Sequence, residues 1–266
     1  MKKKDNELAT VLIANYNNSK YLKKCLLSVI NQSYKNIQII LIDDNSKDNS
    51  LKIAKQFEKK VLIIKNKKKT GVGSWDQINA YYLGYLKSKG DVVLFLDSDD
   101  YFTLEKVNTI MKYFKSYKKK NIVFDLPIFK FTNFNKKKLF KQKKFILSSW
   151  PRFTPQSCIS IRKNYANEIF KIARVKNYPT IWFDFRMAIY SFIKFENINI
   201  IKKYLTYYRQ SNNSASSKYQ KLSVSWWIRR LEAHNFFSLI SKKLKKKDPK
   251  TLDKILTKFF FKLTKI

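Results

Sequence analysis

Val92-Val93-Leu94-Phe95-Leu96-Asp97-Ser98-Asp99-Asp100 is the stretch on which the reading of this chain turns. Five apolar residues run without interruption into three carboxylates. A run of that length and β-branched content predicts a buried central strand, apolar on both faces. In open α/β sheets ligands bind beyond the carboxyl ends of strands, where these acids would stand. Asp97 and Asp99 are two residues apart, so in extended backbone they point to the same side. Two hard oxygen ligands on one side suit Mg²⁺ or Mn²⁺, which in turn could hold a diphosphate. The competing reading is a polar turn in which Asp100 or Thr103 caps the next helix.

The flanking sequence repeats the pattern. Residues 8–14, 37–42 and 61–64 read as further buried strands. Between them Leu22, Cys25, Leu26, Val29 and Ile30 predict a helix over 21–31, with Ser19 as a plausible N-cap. Helices are also expected over 48–59, over 75–88 with Gly90 closing it, and over 104–117. Alternating strand and helix predicts a mainly parallel sheet with right-handed crossovers. The strand exits at Asn15-Tyr16, Asp43-Asp44 and Asp97-Asp99 would then share one edge of that sheet.

Beyond Lys118-Lys119-Lys120 the pattern loosens. Residues 122–131 are strand-like, but Pro127 makes them irregular or an edge. Residues 133–144 read as a basic loop or weak hairpin, 156–161 as a strand and 164–173 as a helix. An aromatic helix over 181–192 holds Asp184 and Arg186, and 198–208 is extended. A Ser/Asn-rich loop over 209–217 precedes helices over 224–244 and 251–266.

Composition narrows the classes. A chain of 266 residues with 44% hydrophobic and 16% aromatic content can bury a core, which excludes collagen-like and globally disordered chains. The formal charge of +37 favours anionic partners: nucleic acid, phosphates or an acidic membrane surface. The abundance of Lys, Asn, Ile, Phe and Tyr also fits a purely compositional bias. Cys25 and Cys158 offer neither a disulfide framework nor zinc spacing. No apolar run approaches the ~18 residues of a membrane span. Asp5-Asn6-Glu7 follows the basic start in place of an apolar segment, so no secretory signal is expected and the cytoplasm is the default compartment.

Four stretches in register resemble the family 2 glycosyltransferases of GT-A fold: Ala9-Thr-Val-Leu-Ile-Ala-Asn-Tyr-Asn-Asn18, Cys25-Leu-Leu-Ser-Val-Ile-Asn-Gln-Ser-Tyr34, Ile40-Leu-Ile-Asp-Asp-Asn-Ser46 and Leu94-Phe-Leu-Asp-Ser-Asp-Asp100. The resemblance implies a Rossmann-like, mainly parallel sheet flanked by helices, with a mixed acceptor-side region and C-terminal helices. It implies a nucleotide-sugar-binding half over 1–117, an acceptor-binding half over 118–217 and a helical extension over 218–266. Ala14 and Tyr16 would flank the base of a nucleotide-sugar donor, and Asp44, with Asp43 a weaker candidate, would accept from a uracil N–H. Asp97, Ser98 and Asp99 match the family's DXD motif, which places ribose and a divalent metal, with Asp100 sharing that duty or capping a helix. Asp184, in Trp182-Phe-Asp-Phe-Arg186, matches the base of an inverting transfer; an ion pair with Arg186 or a charge at a helix N-terminus is the plainer reading. Trp182 and Arg186 would contact the acceptor, a saccharide or lipid-linked glycan in surface polysaccharide synthesis.

Three departures stand out. Trp75-Asp-Gln-Ile-Asn79 lacks the basic residue common near the diphosphate, for which Lys67, Lys68 or Lys69 could substitute. Ser211 stands where the family often has a histidine, and the lone His234 lies in the long C-terminal helix. Phe183 replaces the Glu common before the base. These leave a catalytically degenerate relative open.

Residues 250–266 read as a basic amphipathic helix. It could lie in an anionic membrane interface, giving peripheral attachment at the inner face, or pack its apolar side on the domain. A basic nucleic-acid-binding protein is the alternative from another class. The cations are dispersed and no nucleic-acid motif occurs, so no specific nucleic acid is expected. A nicotinamide dehydrogenase would need GxGxxG after the first strand, and a nucleotidyltransferase a glycine-rich loop there; Asn15-Tyr-Asn-Asn18 is neither.

Overall fold

The computed structural model describes residues 7–131, 135–137, 149–150, 152–210 and 218–264. The loop expected over 133–144 lies largely outside them, and Ser211 wholly so. The first half alternates as the periodicity predicts: β1 (Ala9–Asn15), α1 (Ser19–Ile30), β2 (Ile37–Asp43), α2 (Ser50–Lys55), β3 (Val61–Lys65), α3 (Gly73–Lys87) and β4 (Val92–Asp97). The four strands are parallel in the order β3-β2-β1-β4. Both faces of this sheet are buried, which is why its strands read as unbroken apolar runs. Leu12, Ile40, Ile42, Val93 and Phe95 face the core beneath α3; Val11, Ile13, Leu41, Leu94 and Leu96 face the core beneath α1.

The rest adds β5 (Tyr101–Phe102), α4 (Lys106–Ser116), β6 (Ile122–Lys130), β7 (Asn135–Lys137), a 3-10 turn (Gln156–Cys158), β8 (Ile159–Arg162), α5 (Lys163–Ala173), α6 (Phe183–Phe195), β9 (Ile200–Arg209), α7 (Val224–Lys243) and α8 (Leu252–Leu263). The sheet continues past β4 as β8-β6-β9-β5, with β7 on β6. β8 is antiparallel to both β4 and β6, while β9 is parallel to β6. β5 follows β4 after three residues yet lies four strand positions away. Four strand spacings in a flat sheet span about 19 Å. The four steps from Asp97 to Tyr101 reach at most about 14 Å. The sheet must therefore curl, and the acidic turn bridges the curl.

Several local expectations change. Of the two readings of Pro127 the irregular one holds and the edge one does not: β6 lies between β8 and β9, and the missing N–H falls where the register with β9 shifts. Residues 156–158 form the 3-10 turn, not the start of a strand. Ser19 does not cap α1; its own N–H donates to Asp48 Oδ2 at 2.8 Å. Gly90 is not a helix cap. A Cβ there would meet Thr10 N at 2.6 Å and Leu8 O at 2.7 Å, so its role is close approach to β1. Among the described residues no helix is long and apolar enough to cross a membrane. Both cysteines are buried free thiols.

Candidate active site

The exits of β1, β2 and β4 meet in a cleft of about 970 Å³, closed on the far side by the start of α6 and by α7. The turn after β4 forms because the Asp100 N–H returns to the Asp97 carbonyl at 3.0 Å. Carboxylate oxygens of Asp97, Asp99 and Asp100 all lie within 4.8 Å of one another. The strand ends at Asp97, so the convergence comes from this turn and not from strand alternation. The Tyr81 hydroxyl donates to Asp97 Oδ1 at 2.9 Å, and the Gln156 amide donates to Oδ2. Asp100 is not a helix cap: it accepts from Ser157 Oγ at 2.6 Å and from the Arg209 N–H at 2.8 Å. Ser157 Oγ also accepts from the Asp97 N–H, so one hydroxyl braces two of the acids.

Three acids this close repel one another in a desolvated turn. Burial, then Asp99, push Asp97 up to about 8. Burial likewise raises Asp99 and Asp100, and in Asp100 the neighbouring acids add to it. The hard oxygen donors and their mutual repulsion fit a divalent cation, which Asp97, Asp99 and Asp100 would hold.

At the β2 exit Asp44 accepts from Asn66 Nδ2 at 2.7 Å, and Lys69 Nζ lies 3.4 Å from its other oxygen. The same ammonium sits 3.1 Å from the centroid of the Tyr16 ring. Burial raises Asp44, against the pull of Asn66 and Lys69. Of the three lysines offered as substitutes for the family's basic residue, Lys69 reaches the cleft. Ala14 lines it beside Tyr16.

Across the cleft, alternate residues at the start of α6 divide their faces. Phe183 and Phe185 are buried in the core; Trp182 and Asp184 line the cleft. Burial raises Asp184, against the nearby Arg229 guanidinium. The Phe185 N–H donates to it at 2.7 Å. A Cβ on Gly73 would stand 3.2 Å from the Trp182 ring, so a glycine there lets α3 and the indole approach.

Four predicted residues do not line the cleft: Asp100, buried with its two oxygens on Ser157 Oγ and the Arg209 N–H, and Arg186, Asp43 and Ser98. Arg186 is fully buried, and its guanidinium donates to the carbonyls of Ile181, Ala173, Val175 and Tyr178. It neither pairs with Asp184 nor faces an acceptor; it ties down the turn that leads into α6. Asp43 accepts from Asn15 Nδ2 at 2.8 Å and from the Ser46 N–H, shaping its own turn. Ser98 is buried and accepts from Asn18 Nδ2 at 2.9 Å. Conversely, Gln156, Tyr208, Arg209 and Arg229 line the cleft without having been assigned. Arg209 donates through Nε to the Asp99 carbonyl and stacks 4.0 Å from the Tyr21 ring. Tyr208-Arg209 at the end of an extended segment was a legible signal; Arg229, one cation in a basic helix, had none.

Comparison with known proteins supplies the frame. The profile described as Glycosyl transferase family 2 matches residues 10–198. Glycosyltransferase GlyA of Streptococcus pneumoniae is 36% identical over 111 residues, covering 41% of this chain and 15% of that protein. The Escherichia coli protein WfaP, a UDP-Glc:alpha-D-GlcNAc-diphosphoundecaprenol beta-1,3-glucosyltransferase, is 31% identical over 113 residues, 42% of this chain and 43% of its own length. The chain thus spans less than half of either relative. Among solved structures, residues 1–349 of Staphylococcus aureus TarS in complex with UDP superpose with a TM-score of 0.63 at 16% identity, over 96% of this chain and 69% of that one.

Proposed function

The chain belongs to glycosyl transferase family 2, and from that premise we propose an inverting transfer of a hexosyl or hexosaminyl group from a UDP-sugar to a saccharide or lipid-linked glycan in cell-surface polysaccharide synthesis. The observation that carries this reading is the meeting, in one cleft, of the acidic turn, the Tyr16–Asp44 pocket and Asp184. The UDP complex of TarS and the activity of WfaP support a uridine donor and a lipid-diphosphate acceptor.

In this reading Tyr16 stacks on the base, and Asp44, oriented by Asn66, accepts its imide N–H. Asp97, Asp99 and Asp100 would hold Mn²⁺ or Mg²⁺, and the cation would supply Lewis-acid stabilisation of the departing diphosphate. Lys69, Arg209 and Arg229 add positive charge around the same cleft. Asp184 takes the proton of the acceptor hydroxyl as its oxygen bonds the anomeric carbon and the bond to the diphosphate breaks. Burial suits Asp184 to this role, since a raised pKa makes a stronger base. Trp182 offers the acceptor sugar a flat apolar face.

A thermal-shift screen of nucleotide sugars with and without Mn²⁺ identifies the donor, because a ligand of the folded state raises its stability. Asp99→Asn should abolish metal-dependent donor binding. Asp184→Asn should keep donor binding and lower transfer by about a hundredfold or more. Transfer retained by the Asp184 variant overturns the base assignment. Nucleic-acid affinity that persists in excess UDP and metal favours the other class.

A further inference from the structure

The residues that α8 buries are polar ones. Asp253 and Thr257 are buried, and Asp253 Oδ1 accepts from Arg230 Nε at 2.7 Å. The apolar residues point away from the molecule: Leu252, Ile255, Leu256, Phe259 and Leu263 are 42–61% exposed. At helical spacing these five fall within one arc of about 100°. Exposed Lys258 and Lys262 border it. The stripe extends onto α7, where Trp227 stacks on Phe260 with centroids 4.8 Å apart. Val224 and Ile228, on the same side of α7 as Trp227, are 53% and 38% exposed. A helix packed on a domain buries its apolar side; α8 does the reverse.

Charge selects the occupant. Residues 242–264 hold nine lysines against two aspartates, Asp248 and Asp253. Both aspartates already have partners, Lys254 at 2.6 Å for Asp248 and Arg230 for Asp253. A second copy of a chain carrying +37 would press one cationic stripe against another. A bilayer with anionic headgroups neutralises the lysines and takes the apolar stripe into its acyl boundary. We propose that α8, with the first turns of α7, docks the protein on an anionic lipid bilayer. α7 also reaches the cleft, which Arg229 lines two residues after Trp227. On the transferase reading, a lipid-linked acceptor would meet the cleft beside its own membrane; the docking itself does not depend on that reading.

The test is flotation of the full chain with vesicles of phosphatidylglycerol and phosphatidylethanolamine, against vesicles of phosphatidylcholine alone. Binding to the anionic vesicles is expected to be at least about tenfold stronger and to weaken with salt. Ile255→Asp with Phe259→Asp should lower it at least about tenfold while leaving the thermal melt unchanged, since both side chains are exposed. Lys258→Gln and Lys262→Gln should each weaken binding about fivefold and keep the test decisive if the aspartates unfold α8. Three results overturn the proposal: no preference for anionic vesicles, equal binding by wild type and all variants, or a wild-type dimer in sedimentation equilibrium that the aspartate pair dissociates.

Discussion

Both carboxylate oxygens of Asp97 already accept hydrogen bonds, from Tyr81 and Gln156, yet burial and Asp99 still push its pKa up to about 8. The folded state therefore holds this proton more tightly than the unfolded chain. Stability from the protonated form is fully present below the ordinary value of 3.8 and is lost as pH rises through about 8. Asp97→Asn removes the charge and keeps the shape. In the absence of metal its Tm should match wild type near about pH 4 and exceed it increasingly toward neutral pH. A gap that narrows with rising pH contradicts this. Mn²⁺ should raise the wild-type Tm under the same conditions, and Asp99→Asn should lose that response. Asp97, Asp99 and Asp184 were legible because each follows an apolar run at a strand exit or opens a helix. Arg186 was misread for a geometric reason. Residues two apart on a helix face different ways, so an Asp184 in the cleft sends Arg186 into the core.

At the scale of elements, Asp48 joins two helices. Its Oδ2 accepts from the Ser19 N–H at the start of α1 and its Oδ1 from the Ser50 N–H at the start of α2. Burial works against its charge, but hydrogen bonds from Ser50 and Ser19 outweigh it and hold the pKa down to about 2. That contribution is present above 3.8 and lost as pH falls through about 2. Asp48→Ala should cost about 1 kcal/mol per cap, read by urea unfolding at neutral pH. The start of α4 carries a second such device, a fully buried lysine. Lys106 Nζ bonds Asp125 Oδ2 at 2.5 Å, the Ser157 carbonyl at 2.7 Å and Thr206 Oγ1 at 2.6 Å. The same Ser157 braces Asp97 and Asp100, so this network underlies the acidic turn. Lys106→Met strands a buried carboxylate and should cost about 3–5 kcal/mol, much of it recovered when Asp125→Leu is added. Chemical denaturation of the single and double variants checks this. Neither residue stood out in the sequence, since a lysine beside a helix start reads as one more solvated cation.

At the scale of the molecule, the boundary at residues 117 and 118 is not a break in the sheet. β4 pairs with β1 on one side and with β8 on the other. Phe95 of β4 packs against Phe183 at 4.8 Å and Phe170 at 6.3 Å between centroids. A fragment of residues 1–117 would expose an open strand edge and that apolar face. It should show no cooperative melt, while the full chain melts in one transition; calorimetry of both distinguishes the cases. Unbroken apolar runs alternating with helical apolar spacing were enough to specify the parallel half of the sheet and to bring its carboxylates to one edge. Both follow from strands buried on two faces and from the fixed hand of the crossovers. Periodicity does not encode which distant groups meet. The placing of Arg229 in the same cleft as Asp184, the withdrawal of Asp43, Ser98 and Arg186 from that cleft, and the outward turn of the apolar face of α8 all depend on long-range packing. A strand's pattern sets which side is buried, but only the closed sheet and its covering helices set what each buried or exposed group faces.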